Sequence, residues 1–312
     1  MRKIAVFIAL ILASWPAAAQ TPGPDPNAAR LVTEDLERFW EAFDKAGPEF
    51  PAEPFQKLYL DRGTPGLQDF IQLRITSADK LAETVREFSK YYASTRESLR
   101  HIPETEKAVR ATFHALKEIY PDAVFPDVYI VFGRLTTGGT TSDRGLLIGA
   151  EMWGRTPESP MDGLDPWFQE LLRPIDRIPH IVAHELIHYQ QRTPTTQPTL
   201  LGQAIREGSA DFIGELIAGN HINEAVHRWS PSREAELWKE FSATMHGTDY
   251  GPWFYKKVPD RPNDVGYWIG YQITKAYYDR AADKKQALKD ILRFEDPADL
   301  LAKSGYADKF KS

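Results

Sequence analysis

The chain has 312 residues, with 38 Lys and Arg against 44 Asp and Glu, eight histidines and no cysteine. Its formal charge of −6 argues against nucleic acid or an anionic membrane surface as partner. The absence of cysteine excludes thiol nucleophiles, disulfides and lipid attachment through cysteine, so packing, and any bound metal, must hold the fold.

The chain opens on basic Met1-Arg2-Lys3, an apolar run from Ile4 to Trp15, and small residues Ala17-Ala18-Ala19 before Gln20. This reads as a secretory signal peptide cleaved after Ala19. The run is too short to span a bilayer, and no later stretch reaches the roughly 18 apolar residues that a span needs. The expected product is a periplasmic or secreted protein of 293 residues with no transmembrane segment. Loss of Arg2 and Lys3 brings its formal charge from −6 to −8.

Thr21 to Asn27, rich in proline, reads as a lead-in. Leu31, Leu36, Phe39, Trp40 and Phe43 then form a helical stripe over residues 28–46. A short helical piece is expected from Leu67 to Arg74. A long one follows, with Ser77 as N-cap and Leu81, Val85, Phe88 and Tyr92 on one face. Pro103 opens another that carries Val109, Phe113, Leu116 and Ile119. Residues 20–120 are thus expected to be an N-terminal helical region packed on a catalytic region of residues 121–312.

Val128 to Phe132 and Leu146 to Ile148 are β-branched, aromatic or aliphatic, and are expected to pair as a hairpin across Thr136 to Thr141. The next apolar helix carries Ile181-Val182-Ala183-His184-Glu185-Leu186-Ile187-His188. Residues four apart share a helical face, so His184 and His188 can both present an imidazole nitrogen to one Zn²⁺. Glu185, beside the first ligand, can act as general base on a water. Pro179 suits the first turn of this helix, and Arg192-Thr193-Pro194 closes it.

A catalytic zinc takes a third protein ligand and leaves one position for water. A second helix, Leu200 to Ile217 with a stop at Gly219-Asn220, carries Glu207 and Asp211 one turn apart. Glu207 is assigned as third ligand and Asp211 as the carboxylate that orients a ligand histidine. The reverse assignment, with Asp211 as ligand, is the alternative.

His184-Glu185-x-x-His188 followed by Glu207-x-x-x-Asp211 resembles the gluzincin clan of zinc metallopeptidases. The wider chain is similar to a bacterial family of predicted Zn-dependent proteases related to the gliding-motility lipoprotein B group. The likeness lies in Gly138-Gly139-Thr140, Gly145 to Gly149, His184 to Gln191, Glu207 to Glu215 and Gly266-Tyr267-Trp268-Ile269-Gly270-Tyr271. It implies a zincin-like α+β fold, predominantly helical, with a small sheet over the motif helix. It also implies an edge strand, with Gly149 to Met152 as the candidate, that pairs with extended substrate.

After Asn220 the chain is rich in aromatic residues, most of them expected in the core. Tyr267 and Tyr271 share a helix that Asn263 or Asp264 could cap. One of them, Tyr271 ahead of Tyr267, is the candidate oxyanion donor, with His246 and His227 behind. The expected activity is hydrolysis of peptide bonds in a peptide or protein substrate, with one zinc per chain. A non-catalytic zinc-containing envelope binding protein and an amidase acting on peptidoglycan or another non-peptide substrate are the alternatives. A di-iron site using Glu185-x-x-His188 and Glu224-x-x-His227 would leave His184 without a role. A metzincin would need a further glycine and histidine where the chain has Gln191 and Pro194.

Overall fold

The computed structural model describes residues 22–192, 198–256 and 258–311. The expected signal peptide and the stop at Thr193-Pro194 lie outside these residues. The fold is α+β and predominantly helical, with one four-stranded mixed sheet in the order β1 (Leu31–Val32), β2 (Asp127–Val131), β4 (Gly145–Gly149), β3 (Gly139–Ser142). Among the described residues no helix is long and apolar enough to cross a membrane.

The sheet corrects two expectations. β2 and β4 are parallel neighbours rather than a hairpin, and the hairpin is β3 with β4, closed by Asp143-Arg144. A parallel pair needs a crossover of about a dozen residues, and the stretch read as a loop supplies it, with β3 inside it. Gly139-Thr140-Thr141-Ser142 carries no aliphatic residue because it is a half-exposed edge, and so gave no strand signal. The edge is therefore β3. The other candidate, Gly149 to Met152, ends an interior strand and turns into a 3₁₀ helix at Ala150–Met152.

Every residue of β2 and β4 is buried, which requires cover on both faces. The motif helix packs on β3 and β4, while the Pro65–Phe70 helix packs on β2 and β4 and α1 (Glu34–Ala46) packs on β2. Phe39 of α1 stacks on Phe132 at the end of β2, with centroids 3.8 Å apart. The N-terminal region does more than pack: its strand β1 pairs with β2, and the Arg30 guanidinium clamps buried Asp127 at 2.5 Å.

The long helix expected from Ser77 is two, α2 (Ala78–Glu87) and α3 (Ser89–Leu99), broken at Phe88, which leaves helical geometry at φ −111°, ψ 28°. Ser77 caps the first by accepting from Lys80 N. The break lets Tyr91 and Tyr92 reach the sheet. Tyr92 Oη donates to Gly133 O at 2.8 Å and Tyr91 Oη to Glu151 O at 2.6 Å, while Tyr59 Oη donates to Phe132 O at 2.7 Å. These hydroxyls satisfy main-chain carbonyls just past the ends of β2 and β4.

Helix α4 (Glu106–Ile119) backs both site helices, α5 (Ile178–Gln190) and α6 (Leu200–Ala218). Thr199 caps α6, and left-handed Gly219 ends it where the sequence places the stop. Beyond lie α7 (Glu224–Trp229), α8 (Glu234–Thr244), α9 (Val265–Arg280), α10 (Lys284–Leu292) and α11 (Pro297–Ser304). Asp264 stands at the N-terminus of α9 but makes no side-chain cap. Its carboxylate instead accepts from Tyr255 N at 2.7 Å.

Helices α6 and α9 approach so closely that glycine is required. A Cβ at Gly270 would lie 1.6 Å from Ala204 O, and one at Gly208 would lie 2.0 Å from Tyr271 N. Because both obstacles are main chain, Gly270→Ala is expected to cost about 3 kcal/mol or more. Urea unfolding would show it, and an unchanged midpoint would contradict the packing.

The crossover between β2 and β3 is held from behind by Glu151. Its wholly buried carboxylate accepts from Gly133 N at 2.8 Å and Leu135 N at 3.1 Å. Burial pushes Glu151 up to about 7, against the pull of these two N–H groups. A carboxyl whose folded pKa exceeds its unfolded value holds its proton more tightly when folded, so stability is lost as pH rises through this window. Between about pH 5 and pH 8 the urea midpoint should fall, by an amount worth up to about 3 kcal/mol. Glu151→Gln should lack that decline; an identical pH slope in the variant would refute the assignment.

Candidate metal centre

Helix α5 lies between the sheet and α6, which explains why its apolar residues run all round it: Ile181, Val182, Leu186 and Ile187 are all buried. One side carries His184 and His188 toward α6, which returns Glu207. His188 Nε2 is 3.0 Å from His184 Nε2 and 3.1 Å from Glu207 Oε2, and His184 Nε2 is 3.7 Å from that oxygen. Ligand atoms about 2.0–2.2 Å from a tetrahedral metal stand roughly 3.3 Å apart, so this triangle fits one.

Each ligand side chain is held from behind. His184 Nδ1 is 2.9 Å from Asp211 Oδ1, and His188 Nδ1 is 2.8 Å from Gln191 Oε1, so Nε2 of both rings faces the same point. Asp211 therefore sits behind a histidine, on the far side from Glu207. Asn223 Nδ2 donates to its other oxygen at 2.6 Å. Gln203 Nε2 donates to the outer oxygen of Glu207 at 2.9 Å, and Gln191 Nε2 reaches Arg206 O and Ser209 Oγ.

The electrostatics agree with a cation in this place. Burial pulls His184 down, but hydrogen bonds to Asp211 and Glu207 reverse it and hold the ring up to about 10. Burial pushes Glu207 up, yet the His188 charge and both imidazole hydrogen bonds leave it well below the usual carboxylate range. The buried acids thus hold a proton on His184, and a divalent cation would have to displace it to bind there. Burial raises Glu185, partly offset by the two histidines and Arg74.

Glu185 points away from the triangle's backing and toward β3. A Cβ at Gly139 would lie 2.6 Å from Glu185 Oε1, so the edge strand passes directly over this carboxylate and a side chain there would displace it. A cleft of about 260 Å³ opens at this place, bounded by Gly138, Gly139, Trp153, Ile181, His184, Glu185 and Tyr267 among others.

The two tyrosines separate. The Tyr267 ring stacks on His184, centroids 6.1 Å apart, and lines the cleft. Tyr271, one turn on, does not line it; its hydroxyl donates to Glu215 Oε2 at 2.5 Å and its ring abuts His227. Residues 267 and 271 share a helix side, but the cleft covers only the first turns of α9. Neither His227 nor exposed His246 lines the cleft. Glu224 is bonded to Arg177 and Asn220, away from Glu185 and His188, so the two Glu-x-x-His steps do not converge.

Sequence reasoning missed Gln191, Gln203 and Asn223. Gln191 follows His188 by three and Gln203 precedes Glu207 by four, so helical spacing could have found both. Asn223 stands in a loop and carries no such signal.

A family model described as gliding motility protein GldB matches residues 27–246 and 249–308. That match takes in the sheet, α5, α6 and α9. No curated protein and no solved structure matches the chain.

Proposed function

The chain belongs to the family of gliding motility protein GldB, and from the convergence of His184, His188 and Glu207 we propose that it is an exported zinc metallopeptidase. The observation that carries the reading is the triangle of 3.0, 3.1 and 3.7 Å formed by two imidazole nitrogens and a carboxylate oxygen. It has three protein donors, as catalytic zinc sites do, where structural sites close with four.

Zinc bound there would polarise a scissile carbonyl and bring the pKa of a water to about 7. Glu185 would take the proton of the attacking water and hand it to the leaving amine. Its carboxylate is suited to this by burial, which raises its proton affinity. Asp211 would keep the His184 proton on Nδ1, so that Nε2 remains a donor to metal. Tyr267, lining the cleft beside His184, is the better-placed of the two tyrosines to donate to a developing oxyanion. The open edge of β3, above Glu185, would accept an extended peptide main chain.

The test is turnover of a mixed peptide library by zinc-loaded protein, read by mass spectrometry, with Glu185→Gln as partner. Turnover should fall at least about a thousandfold in the variant while zinc is retained. Cleavage at the wild-type rate by Glu185→Gln would sink the mechanism, and no cleavage by either protein would sink the peptidase reading. Asp211→Asn should weaken zinc binding about 10- to 100-fold in chelator competition; unchanged affinity would remove Asp211 from the site.

A further inference from the structure

The cleft carries a cation that the reaction described above does not use. Arg173 lines it, along with apolar Trp153, Leu171 and Ile222. Among the described residues its guanidinium makes no hydrogen bond or ion pair, although burial is heavy enough to pull its pKa down. The arginines around it differ. Arg155 Nη1 donates to Gln169 O at 2.8 Å, and Arg177 Nη2 donates to His221 O at 2.8 Å and pairs with Glu224.

Glu224 and Glu170 act on Arg173 only at a distance, and Glu224 is already taken by Arg177 and Asn220. The main chain of Arg173 is fixed: its N–H donates to Met152 O at 2.8 Å and its carbonyl accepts from Arg155 N at 3.1 Å. A guanidinium is a planar fork suited to bidentate pairing with a carboxylate. Its nitrogens still meet the solvent of the cleft, and an anionic ligand would exchange that water for charge-assisted hydrogen bonds in a partly desolvated wall.

We infer that Arg173 forms an anion subsite in this cleft, which takes a carboxylate of a peptide substrate beside an apolar residue seated on Trp153 and Leu171. The inference rests on the peptidase reading and makes Arg173 a specificity residue. The carboxylate has two possible sources, the free C-terminus of a short peptide or an Asp or Glu side chain.

The test uses one pool of N-acetylated octapeptides in three forms: free C-terminal acid, C-terminal amide with Asp and Glu included, and C-terminal amide without them. Cleavage is measured with zinc-loaded wild type, and retention of the pools on immobilised zinc-loaded Glu185→Gln. Acid-bearing peptides should be favoured about 10- to 100-fold, and the form favoured identifies the carboxylate. Arg173→Gln should abolish the preference, Arg173→Lys should keep part of it, and Arg173→Glu should turn it toward Lys- and Arg-bearing peptides.

Cleavage without an acid preference, or a preference that survives Arg173→Gln, overturns the subsite and leaves the peptidase standing. An Arg173-dependent preference in retention with no cleavage leaves the subsite and overturns the peptidase. Retention of none of the pools, with no cleavage, overturns both.

Discussion

Two helices can deliver three donor atoms to one point only if their axes approach closely and each side chain is locked from behind. In this chain the lock is the buried hydrogen bond between His184 Nδ1 and Asp211 Oδ1, which ties α5 to α6 at the level of the triangle. Gly214 lies against the His184 main chain, where a Cβ would sit in ordinary contact, 3.7 Å from its nitrogen. Between α6 and α9 the approach is closer still and does require glycine, at Gly208 and Gly270. A close-packed stack of three helices results. It leaves little room for the ligand side chains to adopt other rotamers, which is what preorganises a site.

The sheet and the N-terminal helices serve the same end from the other side. The edge strand β3 lies over Glu185, and the crossover leading into it is pinned by Glu151 and by Tyr92, with Tyr59 on the last residue before it. The N-terminal region supplies those tyrosines and strand β1, so the cleft roof depends on residues more than sixty positions from the motif. Polar and apolar surface meet at the cleft, which is lined by Glu185, His184 and Arg173 together with Trp153 and Tyr267. Such a combination orients a substrate as well as reacting with it.

Much of this was readable from the chain. The four-residue spacings of His184 with His188 and of Glu207 with Asp211, the capping Ser77 and the terminal Gly219 are local signals, and local signals survive folding. The edge strand was not readable, because a polar Gly-Thr-Thr-Ser segment takes its strand geometry from β4 rather than from its own side chains. The parallel pairing of β2 with β4 was missed for a related reason: neighbours in sequence were assumed to be partners. Tyr267 and Tyr271 could not be ranked by helical spacing, since both lie on one face and only the end of the cleft distinguishes them. Asn223, reaching Asp211 from a loop, is a tertiary contact with no periodic trace.

The central claim is that His184, His188 and Glu207 together hold one metal. Metal content by plasma mass spectrometry, on purified protein from zinc-replete growth beside Glu207→Ala, tests it most directly. The account predicts about one zinc per chain, lost or sharply reduced in the variant. Absence of zinc from the wild type, or the same zinc content in Glu207→Ala, would contradict it.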